Sequence, residues 1–244
     1  MYEEASNRLI VALDFPEQEQ AIELAHTLEG RAGYFKVGKE LFVSAGPEIV
    51  QRLKKTAGVF LDLKFHDIPN TVARAVTAST RLGADMITVH AACGRKALEA
   101  AVHASRDAGR QMGVKPPVLL GVTVLTSLDE KTAAEAGIET PLALTVKKRA
   151  GLCVQSGLGG IVCSAHEVSD LRHELGPKTL LVTPGIRLAG TDTHDQARVM
   201  TPGEAMRQGA DYIVVGRTIT ASDDPVGAAD KIISEIQKSI EPPQ

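Results

Sequence analysis

The sequence predicts an α/β protein of the (β/α)8 class, the TIM barrel, formed by residues 1–244 as a single domain. Eight short apolar segments alternate with eight helical segments over 244 residues, and barrels of this class are typically about 250 residues long. Most of the apolar segments are continuous runs, which are typical of parallel strands covered on both faces. No linker or shift in composition divides the chain.

The predicted elements follow one another in strict alternation. The strands cover residues 9–13, 34–38, 59–65, 86–90, 118–125, 159–163, 179–183 and 211–215. The helices cover residues 16–28, 47–53, 71–82, 95–110, 141–155, 167–175, 202–208 and 225–240, with a further short helix at 130–136. A doubly wound open sheet is the alternative, but its first turn is usually rich in glycine. Here that turn reads Asp14-Phe15-Pro16.

The third predicted strand carries two opposite charges. Strand alternation places Asp62 and Lys64 on one face with Phe60, and the opposite face is apolar, formed by Val59, Leu61, Leu63 and Phe65. Burying two ions costs several kcal/mol each unless they are paired. A partly solvated ion pair without a function is one interpretation. The other is a network of charges that tune one another's pKa.

Composition narrows the possible partners. The 27 basic and 30 acidic residues give a net charge of −3 without a basic run, so we expect no nucleic acid partner. No apolar run approaches the roughly 20 residues of a membrane span, and the N-terminus lacks a signal pattern. We therefore expect a cytoplasmic protein. Cys93, Cys153 and Cys163 are not spaced as closely in the sequence as cysteines that bind a metal together. We expect them to be small buried residues in a reducing compartment.

Charged residues follow the first three strands at the end where barrels of this class have their active sites. Because these strands are neighbours, we expect Lys36, Asp62, Lys64 and Asp67 to form an alternating array of two cations and two anions. An ammonium group held in such an array is a suitable general acid for a carbanion. Lys64 is therefore the candidate proton donor.

The last two strands end in a pattern that favours phosphate binding. Loops after strands seven and eight often bind phosphate in these barrels, and here they carry Arg187, Gly216 and Arg217. Glycine allows the backbone to approach phosphate oxygens, and arginine supplies a forked donor. The polar segment 188–196 has the composition of a lid, from which Gln196 could reach a ligand. An ordinary solvated loop is the alternative interpretation.

Two histidines lie near these strand ends. We interpret His66 and His90 as hydrogen-bonded structural residues. A divalent metal near Asp14, Asp62 and His90 is conceivable, but no pair of histidines has metal-ligand spacing and the lysines compete for the carboxylates. We therefore expect no metal.

Six blocks along the whole chain resemble the orotidine 5′-monophosphate decarboxylase family, which catalyses the last step of de novo UMP synthesis. The third-strand block is the most specific. The blocks are Leu13-Asp14, Phe35-Lys36-Val37-Gly38, Asp62-Leu63-Lys64-Phe65-His66-Asp67-Ile68-Pro69-Asn70-Thr71, Leu125-Thr126-Ser127, Thr183-Pro184-Gly185-Ile186-Arg187 with Gln196, and Val215-Gly216-Arg217.

The resemblance implies a role for each matched residue. Lys64 protonates C6 of the pyrimidine, Asp62 lies against the substrate carboxylate, and Lys36 completes the network. It further implies a cofactor-free homodimer in which Asp67, Ile68 and Thr71 reach the partner's site. The implied substrate-binding residues are Asp14, Lys36, Ile68, Thr71, Thr126, Pro184, Arg187, Gln196, Gly216 and Arg217. Many family members have proline where this chain has Leu188, so the loop could be less rigid when open.

Two other functions stay open at this point. Related barrels decarboxylate or cleave sugar phosphates with Mg²⁺ and share the Asp-x-Lys-x-x-Asp core. A barrel that binds a nucleotide without catalysis is the other possibility, because a fold alone does not fix an activity. Such a binder would be expected to lose a charged member of the array, and all four residues are present in the sequence.

Overall fold

The computed structural model describes residues 2–188 and 200–240, and it confirms the predicted (β/α)8 barrel. Each strand pairs in parallel with the next, and β8 pairs with β1 to close the barrel. The strands are β1 (Leu9–Ala12), β2 (Tyr34–Val37), β3 (Gly58–Phe65), β4 (Met86–His90), β5 (Val118–Val122), β6 (Gly160–Val162), β7 (Leu180–Thr183) and β8 (Tyr212–Val215).

Helices surround this barrel. They are α1 (Tyr2–Ser6), α2 (Gln18–Thr27), α3 (Lys39–Ala45), α4 (Glu48–Leu53), α5 (Pro69–Arg81), α6 (Arg95–Met112), α7 (Glu130–Glu135), α8 (Leu142–Gln155), α9 (Val168–Leu175), α10 (Pro202–Arg207), α11 (Arg217–Thr220) and α12 (Pro225–Ile240). Across residues 2–188 and 200–240, no helix has the length and apolar character needed to cross a membrane.

Three helices were not predicted, namely α1, α3 and α11. The sequence predicts one helix after β2, whereas the structure has two that are separated at Gly46 and Pro47. Gly46 follows α3 with a φ of 73°, a value that glycine adopts more readily than other residues. The short α11 begins directly after Gly216, at the end of β8.

β5 is three residues shorter than predicted. Its pairing with β6 ends at Val122, which lies opposite Val162. The following residues, 123–128, leave the sheet, and Val124 and Leu125 line the cavity at the mouth of the barrel. The predicted strand extension is wrong because the neighbouring strand stops there.

The interior has an inner and an outer apolar layer. The inner layer fills the barrel and consists of Ile10, Ala12, Phe60, Met86, Leu120, Val182 and Val214. The outer layer lies between the strands and the helices and includes Val59 and Leu61 from β3. Phe60 lies inside while its two neighbours lie outside, so the predicted alternation of β3 is confirmed.

A repeated Gly-Ala-Asp motif, called here the Gly-Ala-Asp joint, forms the same hydrogen bonds at two strands that lie four positions apart around the barrel. The triplet Gly-Ala-Asp precedes both β4 and β8. Asp85 donates its N–H to the Val59 carbonyl (2.8 Å), and its carboxylate accepts the Val59 N–H (2.8 Å). Asp211 makes the same two bonds with Leu181 (2.9 and 2.8 Å). Each aspartate thus extends the backbone pairing by one side-chain bond.

Candidate active site

A cavity of about 260 Å³ opens at the carboxyl ends of the strands. Its lining has a charged side, an apolar wall and a second side that carries arginine and glycine. The residues of the charged side and of the arginine side are Asp14, Lys36, Asp62, Lys64, Pro184, Gly185, Arg187, Gly216 and Arg217. The apolar wall includes Ala12, Phe60, Val122, Val162 and Val214.

The charged side is an alternating chain of two anions and two cations. Lys64 Nζ donates to Asp62 Oδ2 at 2.7 Å, and Lys36 Nζ lies 3.9 Å from the same oxygen. Lys36 Nζ also donates to Asp14 Oδ1 at 2.9 Å. The side chains of Asp62 and Lys36 are only 11% and 12% exposed. Each buried charge thus has an opposite charge beside it, which offsets the cost of removing it from water.

Lys64 has an unusual backbone conformation. Its φ is 53°, and it is the one residue other than glycine with positive φ in the described parts of the chain. Pairing between β3 and β4 shifts here, because Leu61 lies opposite Ile87 while Phe65 lies opposite Val89. Left-handed backbone costs an L-residue roughly 1–2 kcal/mol. Such outliers persist where surrounding contacts hold them, and they cluster at functional sites.

Thr88 on β4 connects the backbone of Lys64 to the carboxylate of Asp62. Its Oγ1 accepts the Lys64 N–H at 2.8 Å and donates to Asp62 Oδ1 at 3.0 Å. The hydroxyl is fully buried. Both oxygens of Asp62 are therefore hydrogen-bonded, one to Thr88 and the other to the Lys64 ammonium group.

Gly38 leaves room for the charged chain. A Cβ atom at this position would lie 2.9 Å from Asp14 Oδ1 and 3.2 Å from Lys36 Nζ. The first distance is shorter than carbon–oxygen contacts normally allow, so a side chain here would force the Asp14 carboxylate to shift. The absence of a side chain is thus part of the site.

The arginine side lies at the ends of β7 and β8. Arg187 is 8% exposed, and its Nη1 donates to the Ile186 carbonyl at 2.8 Å. The Arg187 N–H bonds the Met200 carbonyl at 3.1 Å, so the two ends of the segment 188–200 are joined. Gly216 begins the turn into α11, and Thr220 donates its N–H to the Gly216 carbonyl.

This geometry can bind an elongated anionic ligand. The apolar wall can accept a flat ring, the two arginines can balance a dianion, and Lys64 can deliver a proton to the ring. The family model described as "Orotidine 5'-phosphate decarboxylase / HUMPS family" matches residues 7–232. The chain belongs to this family.

Relatives from two bacteria match nearly the whole chain. The orotidine 5′-phosphate decarboxylase of Moorella thermoacetica is 49% identical over 235 residues, which cover 96% of this chain and 93% of the relative. That of Syntrophotalea carbinolica is 46% identical over 245 residues, which cover 99% of each chain. The resemblance inferred from the sequence blocks is confirmed.

A solved structure has the same fold. The crystal structure of orotidine 5′-phosphate decarboxylase from Lactobacillus acidophilus superposes with a TM-score of 0.83 at 38% identity. It covers 93% of this chain and 98% of its own chain. The arrangement of the strands that position the site is therefore that of the decarboxylase family.

Most of the predicted substrate-binding residues surround one cavity. Asp14, Lys36, Thr126, Pro184, Arg187, Gly216 and Arg217 all line it. Gln196 lies outside the described residues, and its predicted contact stays a prediction. Ile68 and Thr71 do not line this cavity.

Asp67 does not join the charged chain of its own subunit, and its predicted place in the array stays a prediction. β3 ends at Phe65 and α5 begins at Pro69, and Asp67, which lies between them, does not line the cavity at the barrel mouth. Its Oδ1 accepts the Ile68 N–H at 2.6 Å, and no ion pair joins it to another described residue. Asp14 takes the fourth position instead, through its bond to Lys36.

Asp67 and Thr71 line a second cavity, of about 330 Å³, on the outside of β3 and α5. Lys64 lines both cavities, and Lys39 and His66 also border the second one. Ile68, which follows Asp67 in the chain, is 65% exposed. The segment that the family resemblance assigns to a neighbouring subunit's site is therefore an accessible surface of this chain.

His90 is a hydrogen-bonded residue, as predicted. Its Nδ1 accepts the Ala92 N–H at 3.2 Å, and its ring stacks on that of His66 with centroids 5.0 Å apart. Burial, followed by the neighbouring His66, Arg149 and Lys64 in that order, lowers the pKa of His90 to about 4. His90 is therefore neutral at pH 7.

The cysteines behave as small apolar residues where they are fully buried. Cys153 and Cys163 are inaccessible, and burial raises the pKa of the Cys153 thiol to about 12. Cys93 is partly exposed. Across residues 2–188 and 200–240, no three His, Cys, Asp or Glu residues are grouped closely enough to hold a metal ion.

Sequence reasoning missed the structural role of two site residues. Gly38 was part of a matched block, but its role depends on the distance to Asp14 and Lys36, which only the folded chain shows. Thr88 was not identified, because a threonine in a predicted strand is common. One signal could have identified it: Thr88 is a polar residue that faces inward on β4, beside the strand that carries two charges.

Proposed function

We propose that this chain is a carbon–carbon lyase that decarboxylates orotidine 5′-monophosphate to UMP in de novo pyrimidine biosynthesis. The observation that carries the proposal is the alternating chain Asp14, Lys36, Asp62 and Lys64 beside an apolar wall, with Arg187 and Arg217 across the same cavity. Membership of the decarboxylase family supports the same reaction.

In the proposed reaction, the bond between C6 and the carboxylate carbon breaks and CO₂ leaves. The electron pair remains on C6, where the pyrimidine offers little resonance stabilisation. Lys64 Nζ, held by Asp62 at 2.7 Å, then gives its proton to C6. A fixed ammonium group beside the developing negative charge stabilises the transition state before it transfers the proton. No cofactor or metal is needed for this sequence.

Asp62 has two proposed roles. Its carboxylate holds Lys64 in position, and it lies where the substrate carboxylate would bind, so the two anions repel each other before CO₂ leaves. We assign the larger effect to Lys64, since a preorganised charge acts directly on the transition state. Lys36 keeps the network electrically balanced through its contacts with Asp62 and Asp14.

The other side of the cavity would hold the nucleotide. Asp14 and Lys36 bind ribose hydroxyls, while Thr126 and Pro184 contact the nucleotide. Arg187, Gln196, Gly216 and Arg217 bind the phosphate, with segment 188–196 as the lid. Binding energy from a phosphate that does not react can be used to close the site and to stabilise the transition state.

We further propose a homodimer that acts in the cytoplasm, in which residues 1–244 of each subunit form one barrel domain. Asp67, Ile68 and Thr71 of one subunit would reach the site of its partner. The exposed Ile68 and the cavity beside Asp67 support this arrangement. A carboxylate supplied by the partner would lie next to Lys64, which also borders that cavity.

The deciding experiment mixes purified protein with orotidine 5′-monophosphate and follows the loss of substrate absorbance in the ultraviolet, with and without EDTA. Rapid conversion to UMP that resists EDTA is the expected result. The family description also includes the HUMPS relatives, so sugar phosphates with Mg²⁺ form the second arm. Activity only in that arm would replace the proposal, and tight binding of UMP without turnover would indicate a non-catalytic binder.

A further inference from the structure

Thr88 is the residue outside the predicted site that has the closest connection to it. It lies on β4, one strand away from Asp62 and Lys64, and its side chain is completely buried. It does not line the cavity at the barrel mouth. Any effect of Thr88 on the reaction must therefore act through the residues that it contacts.

The contacts of Thr88 close a ring of hydrogen bonds. The Lys64 N–H donates to Thr88 Oγ1 (2.8 Å), Thr88 donates to Asp62 Oδ1 (3.0 Å), and Lys64 Nζ donates to Asp62 Oδ2 (2.7 Å). The backbone and the side chain of Lys64 are thus tied to the same carboxylate. The single hydroxyl between them serves as acceptor and donor at once.

We propose that Thr88 is a positioning residue that sets the orientation of the Asp62 carboxylate and the left-handed backbone of Lys64. The inference rests on the proposed function, since Lys64 is the proton donor there. The hydrogen bond to Asp62 Oδ1 keeps Oδ2 turned towards Lys64 and Lys36. The bond from the Lys64 N–H holds the backbone at a φ of 53°, the conformation from which its side chain reaches the cavity.

The expected effect falls on the chemical step. In the proposed function, substrate binding depends largely on the arginine side of the cavity, and Thr88 does not line that cavity. Loss of the ring of hydrogen bonds leaves the Lys64 ammonium group less accurately placed against C6 of the substrate. This lowers kcat while KM changes little. A hydrogen bond to a charged group in such a site is consistent with a loss of about 10- to 100-fold in kcat.

Thr88→Val tests the inference, because valine keeps the shape and removes the hydroxyl. Thr123→Val is the matched control. Thr123 is also a fully buried threonine, close to β5, but its hydroxyl has no hydrogen-bond partner among the described residues. Thr88→Ser keeps the hydroxyl that Thr88→Val lacks, and its kcat should lie within about threefold of wild type. A role of Thr88 limited to packing would not predict this difference between the two variants.

We expect Thr88→Val to lower kcat about 10- to 100-fold with KM for orotidine 5′-monophosphate within about threefold, and Thr123→Val to match wild type. Two results would overturn the inference. One is a folded Thr88→Val enzyme with kcat within about twofold of wild type. The other is equal loss in Thr88→Val and Thr88→Ser, since the hydroxyl would then be irrelevant.

A further variant covers the case in which valine prevents folding. Thr88→Cys keeps a side chain of similar size with a much weaker donor and acceptor. Its kcat should be at least about tenfold below that of Thr88→Ser, and equal values would reject the inference. Absence of turnover in the wild type is a different result: it rejects the proposed function, and the inference with it.

Discussion

Lys64 and Asp62 lie two positions apart on β3, and their side chains meet at 2.7 Å above the inner apolar layer of the barrel. Regular alternation places both on the interior face, but the shifted pairing with β4 turns the Lys64 backbone into the left-handed region. The ammonium group therefore reaches the cavity while it stays bonded to a carboxylate of its own strand. The proposed mechanism depends on this pair.

Removal of the Lys64 amine tests that mechanism directly. We expect Lys64→Ala to lower kcat at least about a thousandfold, because the variant loses both the proton donor and the charge that stabilises the carbanion. Binding of UMP measured by calorimetry should persist. Lys55→Ala, on the exposed surface, serves as the control. A kcat of Lys64→Ala near that of wild type would contradict the mechanism.

Arg217 should affect binding more than chemistry. We expect Arg217→Ala to raise KM for orotidine 5′-monophosphate by about 10- to 100-fold, because a charge-assisted contact to the phosphate is lost. Orotidine, which has no phosphate, supplies the control. Wild type and variant should process it at the same low rate, and a difference between them with orotidine would show that Arg217 acts elsewhere.

Subunit exchange can test the shared site. Lys64→Ala and Asp67→Ala are each expected to be nearly inactive alone, because each removes one member of every site. In mixed dimers, one of the two sites has both native residues, so random exchange should restore about a quarter of wild-type activity. The assay is activity after the two variants are mixed, and size-exclusion chromatography reports the dimer. No recovery despite exchange would place Asp67 in its own subunit's site.

Gly38 and Gly46 should respond to alanine in opposite ways. Gly38→Ala leaves ordinary backbone angles but places a Cβ against Asp14 and Lys36, so we expect kcat/KM to fall about tenfold with little change in thermal stability. Gly46 has a φ of 73° and open space around its Cβ position. Gly46→Ala should cost about 1–2 kcal/mol of stability and leave activity unchanged. The reverse pattern would contradict the steric role of Gly38.

His90 should make the fold less stable in acid. Its folded pKa of about 4 lies below the ordinary histidine value of 6.5, so the unfolded chain binds a proton between these values while the folded chain does not. Stability is retained above pH 6.5 and falls as the pH approaches 4. Because His90 is partly solvated, the loss is about 1 kcal/mol after allowance for solvent screening.

Thermal unfolding between pH 4 and pH 7 measures this effect. His90→Asn keeps an acceptor for the Ala92 N–H and removes the titration, so its stability should vary less over that range. His103→Asn changes an exposed histidine and serves as the control. Identical pH dependence in wild type and His90→Asn would show that another group is responsible.

The barrel could be predicted because its signal is local and repeated. Eight apolar runs with helices between them require no knowledge of long-range contacts, and the strand predictions differ from the structure mainly by a residue or two at their ends. β5 is the exception, since its length depends on where β6 stops. Helix α3 was missed because the predicted strand ending at Gly38 left no obvious start for a helix.

The sequence was sufficient to predict most of the residues that form the site, but only part of their arrangement. Strand alternation is sufficient to place Asp62 and Lys64 together. It does not show that the chain leaves the barrel after Phe65, which takes Asp67 away from the other charges and leaves Asp14 beside Lys36. The shifted pairing at Lys64 depends on contacts with β4, a strand more than twenty residues away in sequence.

The repeated Gly-Ala-Asp joint divides the barrel into two half-barrels, β1–β4 and β5–β8, each ending in a strand anchored in the same way. The charged chain belongs entirely to the first half, whereas Thr126 and the two arginines belong to the second. In the proposed mechanism, chemistry and phosphate anchoring are therefore encoded by separate stretches of sequence. Under that mechanism, substitutions in the first half can alter the reaction while the phosphate anchor in the second half stays intact.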